Sequence, residues 1–356
     1  MAIAVLLGLA LMILQQFVRG VWSAAAAVIA VLLVLAGSWT AYSGARLLLD
    51  PVYPMVAVLL IYLTVSLVIY LRAERERQFV RDAFSSYVSP NLVQHFIDHP
   101  SDLEIGGERR ECTFVLTDLA GFTSLCEKSD PAELVSVLNG YLDEMTRIAF
   151  AHQGTLDRII GDAVAIMFSA PVVQPDHAEL AVGCALAMDR FSQEYSRTMR
   201  AEGVPLGHTR IGVNSGPVII GNVGGDQHSD YGALGDPINT ASRLENLNKH
   251  LGTRICVSGT TVVQCPRFIG RPVGNVVLMG KTQPIQGFEP LTPEDHESAA
   301  TAAYMEAFHL LDTDGAAARE AFTAAVARFP DDPLAAFHLK RLEAGEVGST
   351  IVMTEK

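Results

Sequence analysis

Three long apolar runs, Ile3 to Val18, Val21 to Tyr42 and Val52 to Leu71, open the chain, and almost every charge lies beyond them. A helix crossing the hydrocarbon core of a bilayer needs about 20 predominantly apolar residues, and each run is near that length. None carries the polar face that a helix buried in a soluble core keeps toward water. Residues 1–71 are therefore expected to form three transmembrane helices embedded in a lipid bilayer. Arg72, Arg75, Arg77 and Arg81 follow the third run. Clustered arginine marks the cytoplasmic side, which leaves the amino terminus outside and everything after the third span in the cytoplasm. The expected location is a bacterial inner membrane, crossed more than once. The first run has no basic lead-in, so a cleaved signal peptide fits it poorly.

Before Arg72 the only charged side chains are Arg19, Arg46 and Asp50. They sum to +1, so the part from Arg72 onward carries −14 of a chain total of −13. So acidic a cytoplasmic part excludes a nucleic-acid partner, because such binding requires basic surface to displace counterions. Five cysteines, Cys112, Cys126, Cys184, Cys256 and Cys265, contain no CxxC pair. An odd number at wide spacing reads as reduced thiols rather than a disulfide framework.

Residues Arg72 to Phe84 read as a charged helix continuing the third span, broken at Tyr87 to Pro90, within a linker region over 72–110. Strands and helices then alternate. Cys112 to Thr117 is a β-rich run, and Pro131 to Ala151 is a helix capped by Asp130. Leu156 to Ile160 and Ala163 to Phe168 form a hairpin through Gly161 and Asp162. Asp176 to Met199 is helical. Arg210 to Asn214 and Val218 to Val223 are expected to pair around Ser215, Gly216 and Pro217. Asp236 to His250 is a helix, and Arg254 to Ser258 a strand. This order predicts an α+β sandwich with helices on one face. His177 and His250 read as ordinary surface residues. From 298 to 346 two amphipathic helices are expected, separated by Asp312 to Gly315 and ended by Pro330 and Pro333. They resemble one tetratricopeptide-like pair, a unit that must pack on a neighbour to bury its faces.

Two carboxylates stand out. Asp118 lies at a strand end before Ala120-Gly121-Phe122-Thr123, a glycine turn opening a helix, where backbone N–H groups and the helix dipole favour phosphate. Asp162 lies at the hairpin tip. If the two strands are neighbours, the carboxylates meet, and paired carboxylate oxygens suit Mg²⁺. Further on, Asn239 and Arg243 are four residues apart and share one helix face. An amide and a guanidinium so placed can hold a ribose and a phosphate.

With Asp118 to Thr123, Arg158 to Ala163, Arg210 to Gly221 and Leu234 to Glu245 in this order, residues 111–290 resemble the catalytic domain of class III adenylate and guanylate cyclases. The preceding three spans, the Asp50-Pro51-Val52-Tyr53-Pro54 turn and the tail resemble bacterial cyclases with an extracytoplasmic CHASE-type sensor, which would precede residue 1. The resemblance implies a ferredoxin-like βαββαβ core and a head-to-tail homodimer converting ATP to cyclic AMP and pyrophosphate. It implies two Mg²⁺ ions, replaceable by Mn²⁺, on Asp118, Asp162 and the Leu119 carbonyl. It also implies phosphate contacts from Gly121, Phe122, Thr123 and Lys281, with Asn239 and Arg243 acting from the other subunit. Arg158 stands where adenylate cyclases carry the lysine that reads adenine and guanylate cyclases carry glutamate. A cation there favours adenine, whose N1 is an acceptor. Gly232, at the partner position, offers no side chain, and Gln227 stands where some relatives have a phosphate-binding arginine, a role His228 could partly fill. A guanylate cyclase or a cyclase of relaxed specificity, and a catalytically silent nucleotide-sensing or dimerisation domain, are the alternatives. A diguanylate cyclase would need a GG[DE]EF loop, and the sequence has none.

Overall fold

The computed structural model describes residues 20–48, 50–85, 106–225, 228–281 and 283–353. The chain divides into two units, residues 1–87 and 88–356. In the first, helix α1 covers Gly20–Ala45 and α2 covers Val52–Ser85. Asp50 accepts a hydrogen bond from Val52 N at 2.9 Å, a cap that starts α2 beside Pro51. Both helices are long and apolar enough to cross a membrane, over Ala27–Gly44 and Val52–Arg72. Their large apolar side chains, among them Leu32, Leu33, Trp39, Leu59, Leu60 and Leu63, are exposed. Two such helices are present among the described residues; the expected first span, Ile3 to Val18, and the break at Tyr87 to Pro90 lie outside them. The charged stretch after Leu71 continues α2 without interruption.

The second unit is built on strand β1, Gly106–Leu119. It is followed by α3 (Phe122–Lys128), α4 (Pro131–Ala151), the hairpin β2 (Thr155–Ile160) and β3 (Ala163–Phe168), and α5 (His177–Ala201). Then come β4 (Thr209–Gly225), β5 (His228–Leu234), α6 (Asp236–Leu251), β6 (Ile255–Ser258), β7 (Gly270–Val277) and β8 (Ile285–Pro290). The mixed sheet runs β2-β3-β1-β4-β6-β8-β7 and ends on β9 (Thr350–Val352), with β5 paired to β4. Its first four strands with α4 and α5 form the βαββαβ succession. Asp130 caps α4 as expected, accepting from Ala132 N and Glu133 N.

Three expectations are corrected. The stretch around Ser215-Gly216-Pro217 is not a turn: β4 is one long strand, paired with β1 from Gly106↔Asn222 to Leu119↔Thr209. Gly216 is small because Pro237 lies on it; a Cβ there would be 2.8 Å from the proline ring. A close approach, not a bend, requires the glycine. The partner of the second half of β4 is β5. Second, the sheet is covered on both faces. Val115, Val164, Ile166, Ile211 and Val213 pack against α4 and α5, while Cys112, Phe114, Met167, Val218 and Ile220 pack with Ala241 and Ile238 of α6. Alternate residues of β1 thus serve opposite cores.

Third, the tail has three main helices and a strand: α7 (Ala299–Leu310), α8 (Gly315–Arg328), α9 (Pro333–Glu343) and β9 (Thr350–Val352). Pro333 starts a helix rather than ending one. It stands in the first turn, and Asp332 caps it through Leu334 N and Ala335 N. β9 pairs in parallel with β7. Tyr304, Phe322, Leu334 and Ile351 share one core with Leu244, Leu247, Val273 and Val276. Arg271 on β7 grips Asp332 with both terminal nitrogens at 2.6 and 2.9 Å, bonds Glu289 at 2.7 Å and stacks on Tyr304. All five cysteines are free: Cys112, Cys184, Cys256 and Cys265 are buried and Cys126 is exposed. Burial pushes the first three of these thiols up to about 12.

Candidate active site

β3 pairs antiparallel with β1, Leu116 opposite Ala165. This register carries the β2–β3 hairpin tip to the end of β1. Gly161 turns the tip with φ +64, and Asp162 then accepts a hydrogen bond on Oδ2 from Leu119 N at 2.9 Å. Asp118 is the residue before Leu119, so the structure brings the two carboxylates to one place. Burial raises the Asp162 carboxyl above the usual range, opposed by the Leu119 N–H and reinforced by the Asp118 charge. Two carboxylates gathered at a half-buried site bring their negative charge together, and their hard oxygens fit Mg²⁺ or Mn²⁺. No group of three or more potential metal-binding side chains occurs among the described residues. The pair therefore falls short of a closed cage, and a Mg²⁺ site usually completes its shell with water and phosphate.

The turn after β1 is held from behind. Ala120 N donates to His208 O at 2.9 Å, and a Cβ at Gly207 would be 1.8 Å from Ala120 O. Gly121 adopts φ +75 as the residue before α3, and a Cβ added there would meet nothing within 4 Å. Phe122 and Thr123 open α3, so Gly121, Phe122 and Thr123 lie together beside the carboxylates.

Two residues at this site were given no role from the sequence. Arg210 is directly opposite Asp118 in the β1–β4 register, and its guanidinium bonds the Asp118 carboxylate. Its Nε lies 3.0 Å from Oε1 of Glu245, a buried residue of α6. Burial raises the Glu245 carboxyl to about 7, with the Asp118 charge next in weight. Gly212 explains how α6 comes so close: a Cβ there would be 2.0 Å from Ala241 O and 2.4 Å from Glu245 N. The signal in the sequence was the alternation Arg210-Ile211-Gly212, with a charge and a gap on one face of a strand.

Asn239 is exposed and Arg243 half-buried, one turn apart on α6. Gly280 and Lys281 lie alongside. A Cβ at Gly280 would be 3.8 Å from an Arg243 terminal nitrogen, and Lys281 bonds Asp236 at the start of α6. That bond, first among its causes, holds the Asp236 carboxyl below the usual range. Asn239, Arg243 and Lys281 thus form a second group on the same chain.

The third group is at β2 and β5. Arg158 Nε donates to Asp157 Oδ2 at 2.7 Å, and the Asp157 side chain is 1% exposed against 50% for Arg158. A Cβ at Gly232 would lie 3.3 Å from Asp157 Oδ1 and 3.6 Å from an Arg158 terminal nitrogen. The close approach at 232 is thus to the Asp157 carboxylate, with the Arg158 nitrogen at ordinary contact distance. The other expected phosphate contact, Gln227, lies outside the described residues, and His228 begins β5. His177 is not a surface residue: it is 8% exposed, and its Nδ1 lies 2.6 Å from Thr113 Oγ1. Burial at the start of α5 over the sheet holds it below the usual histidine range.

The chain is similar to proteins of known activity and of known structure. The chain is 37% identical over 216 residues to adenylate cyclase 1 of Rhizobium meliloti (strain 1021), covering 59% of this chain and 32% of that protein. It is 30% identical over 224 residues to an adenylate cyclase of Anabaena cylindrica, covering 60% and 42%. The chain thus spans well under half the length of these relatives. A bacterial light-regulated adenylyl cyclase of known structure shares the fold, with a TM-score of 0.53 at 23% identity over 65% of each chain. Residues 107–288, just over half of the chain, match the family model of the adenylate and guanylate cyclase catalytic domain, and the chain belongs to that family.

Proposed function

We propose that this protein is a membrane-anchored adenylate cyclase that converts ATP to 3′,5′-cyclic AMP and pyrophosphate in a homodimer. The observation that carries the reading is the meeting of Asp118 and Asp162, joined through the Leu119 N–H at 2.9 Å. Asp118, Asp162 and the Leu119 carbonyl would hold two divalent cations, Mg²⁺ or Mn²⁺. When bound, these supply Lewis-acid activation of the ribose 3′-hydroxyl and neutralise triphosphate charge.

The remaining work falls to the chain's own groups. Backbone N–H groups of Gly121, Phe122 and Thr123 cradle the phosphates, and Lys281 of the second subunit reaches the terminal ones. Asn239 of the second subunit orients the ribose, so that its 3′-oxygen attacks the α-phosphorus in line with the departing pyrophosphate. Arg243 of the same subunit stabilises the charge that develops there. Arg158, pinned by Asp157, donates to N1 of adenine. The exposed apolar surfaces of α1 and α2 face lipid, with the cyclase domain in the cytoplasm of a bacterial inner membrane.

Purified protein with Mn²⁺ or Mg²⁺ is expected to make cyclic AMP from ATP. Asp118→Ala and Asp162→Ala should each lower turnover by roughly 10³-fold or more with the fold intact, as loss of charge stabilisation at a transition state does. A guanylate cyclase or a cyclase of relaxed specificity is the second reading, because Gly232 offers no side chain to discriminate the bases. Side-by-side kinetics with ATP and GTP decide between them: a higher kcat/KM for GTP overturns the adenine assignment. No cyclic product from either nucleotide would leave a nucleotide-sensing domain.

A further inference from the structure

Arg210 is 12% exposed in its side chain and stands between two carboxylates, Asp118 at 32% and Glu245 at 7%. Its attachment to them is unequal. It makes a hydrogen bond to Asp118, whereas its Nε and Glu245 Oε1, though 3.0 Å apart, are not aligned as a hydrogen bond, and both atoms are buried without one. A buried donor and acceptor left unaligned at contact distance are costly, and a small rotation of the guanidinium would satisfy both. That rotation is opposed by the hold on Asp118. A divalent cation arriving at Asp118 and Asp162 competes with the guanidinium for the same carboxylate, and like charges in a half-buried site repel.

We infer that Arg210 is a positioning residue, the resident counter-ion of the cation site: it holds Asp118 in the metal-free chain and passes to Glu245 when a divalent cation takes that carboxylate. The inference rests on the reading of Asp118 as a metal ligand. Its consequence reaches further than the site, because Glu245 is on α6 with Asn239 and Arg243. Gly212 seats that helix directly on β4, with no side chain between to absorb a shift. Cation binding at the end of β1 therefore changes the anchoring of the helix that supplies the transition-state residues.

The test uses the full chain in detergent micelles and Mn²⁺ alone, following the electron paramagnetic resonance signal of free aqueous Mn²⁺. Glu245→Gln is isosteric and leaves the guanidinium to Asp118, so it should weaken Mn²⁺ binding about tenfold, as a change of one unit charge at close range does. Arg210→Gln removes the competitor and should tighten binding by a similar factor. Amide hydrogen exchange in α6 should slow on adding Mn²⁺ in the unaltered chain but not in Glu245→Gln. Equal Mn²⁺ affinity and equal exchange response in Glu245→Gln and the unaltered chain would overturn the inference, even where Arg210→Gln fails to fold. Asp118→Asn separates the two levels. If it abolishes Mn²⁺ binding while Glu245→Gln changes nothing, only the hand-over is lost. If it binds Mn²⁺ like the unaltered chain, the metal-site reading falls as well.

Discussion

Position 212 shows how one missing side chain fixes the candidate site. Alanine there would place its Cβ against Ala241 O and Glu245 N, both backbone atoms that cannot rotate away. Gly212→Ala is therefore expected to push α6 off β4, lowering stability by about 1–3 kcal/mol, the usual cost of overpacking. A thermal melt of the purified chain checks this; an unchanged melting temperature would mean that the helix is not seated as described. Cyclase turnover should fall with it, because Arg243 moves with α6.

The residue scale also shows what could be read in advance. Asp118, Asp162, Asn239 and Arg243 were legible because each sits at a strand end, a hairpin tip or one helix face, where chain neighbours define the geometry. Arg210 and Glu245 were not, because their meeting depends on the β1–β4 register and on the contact of Gly212 with Ala241 and Glu245, residues far from it along the chain. His177 was misread for a related reason. An imidazole near a helix start looks solvated until the helix is laid over a strand that offers a buried hydroxyl, here Thr113.

Among the elements, the tail is the one whose role the structure redefines. Pro330 follows the end of α8 as expected, but Pro333 opens α9 where an end was expected, since proline serves equally as a helix start; the expected pair is therefore three helices and strand β9. His338 of α9 is fully buried, with Nε2 3.1 Å from Val273 O of β7. Burial, with Arg341 and Arg271 nearby, pushes its pKa down to about 3, well below the 6.5 of a free histidine. The neutral ring is thus the form that fits. Its contribution to stability is present above pH 6.5 and is lost as pH falls toward 3, by about 1.4 kcal/mol per pH unit. Asp332, the carboxylate closest in effect, opposes the shift only weakly. Chemical denaturation from pH 7.5 to 5 should show this slope in the unaltered chain and a flatter one in His338→Gln. Identical slopes would remove His338 from the account. The same packing predicts that a chain ending at residue 297 exposes Leu244, Leu247 and Val276 and loses solubility, because the tail shares their core.

At the scale of the whole molecule, one chain carries two groups of chemical side chains on different elements. Asp118 and Asp162 lie at the end of β1 and the β2–β3 tip; Asn239, Arg243 and Lys281 lie along α6 and the β7–β8 connection. In a two-fold symmetric pair, each group can complete the other chain's. Helices α1 and α2 are long and apolar enough to cross a membrane, and in the proposed membrane-anchored dimer they would raise the effective concentration of the two copies for pairing.

Mixing two inactive chains tests this most directly. Asp118→Ala lacks a cation ligand and Arg243→Ala lacks the transition-state cation, and each alone should make no cyclic AMP. Combined and allowed to exchange subunits, they form mixed dimers in which one of the two sites has both groups intact. Random exchange in a two-fold dimer then restores about a quarter of the unaltered turnover. Recovery of that order is the predicted result; no recovery, with mixed dimers demonstrated by differential tagging, would contradict a site shared between two chains.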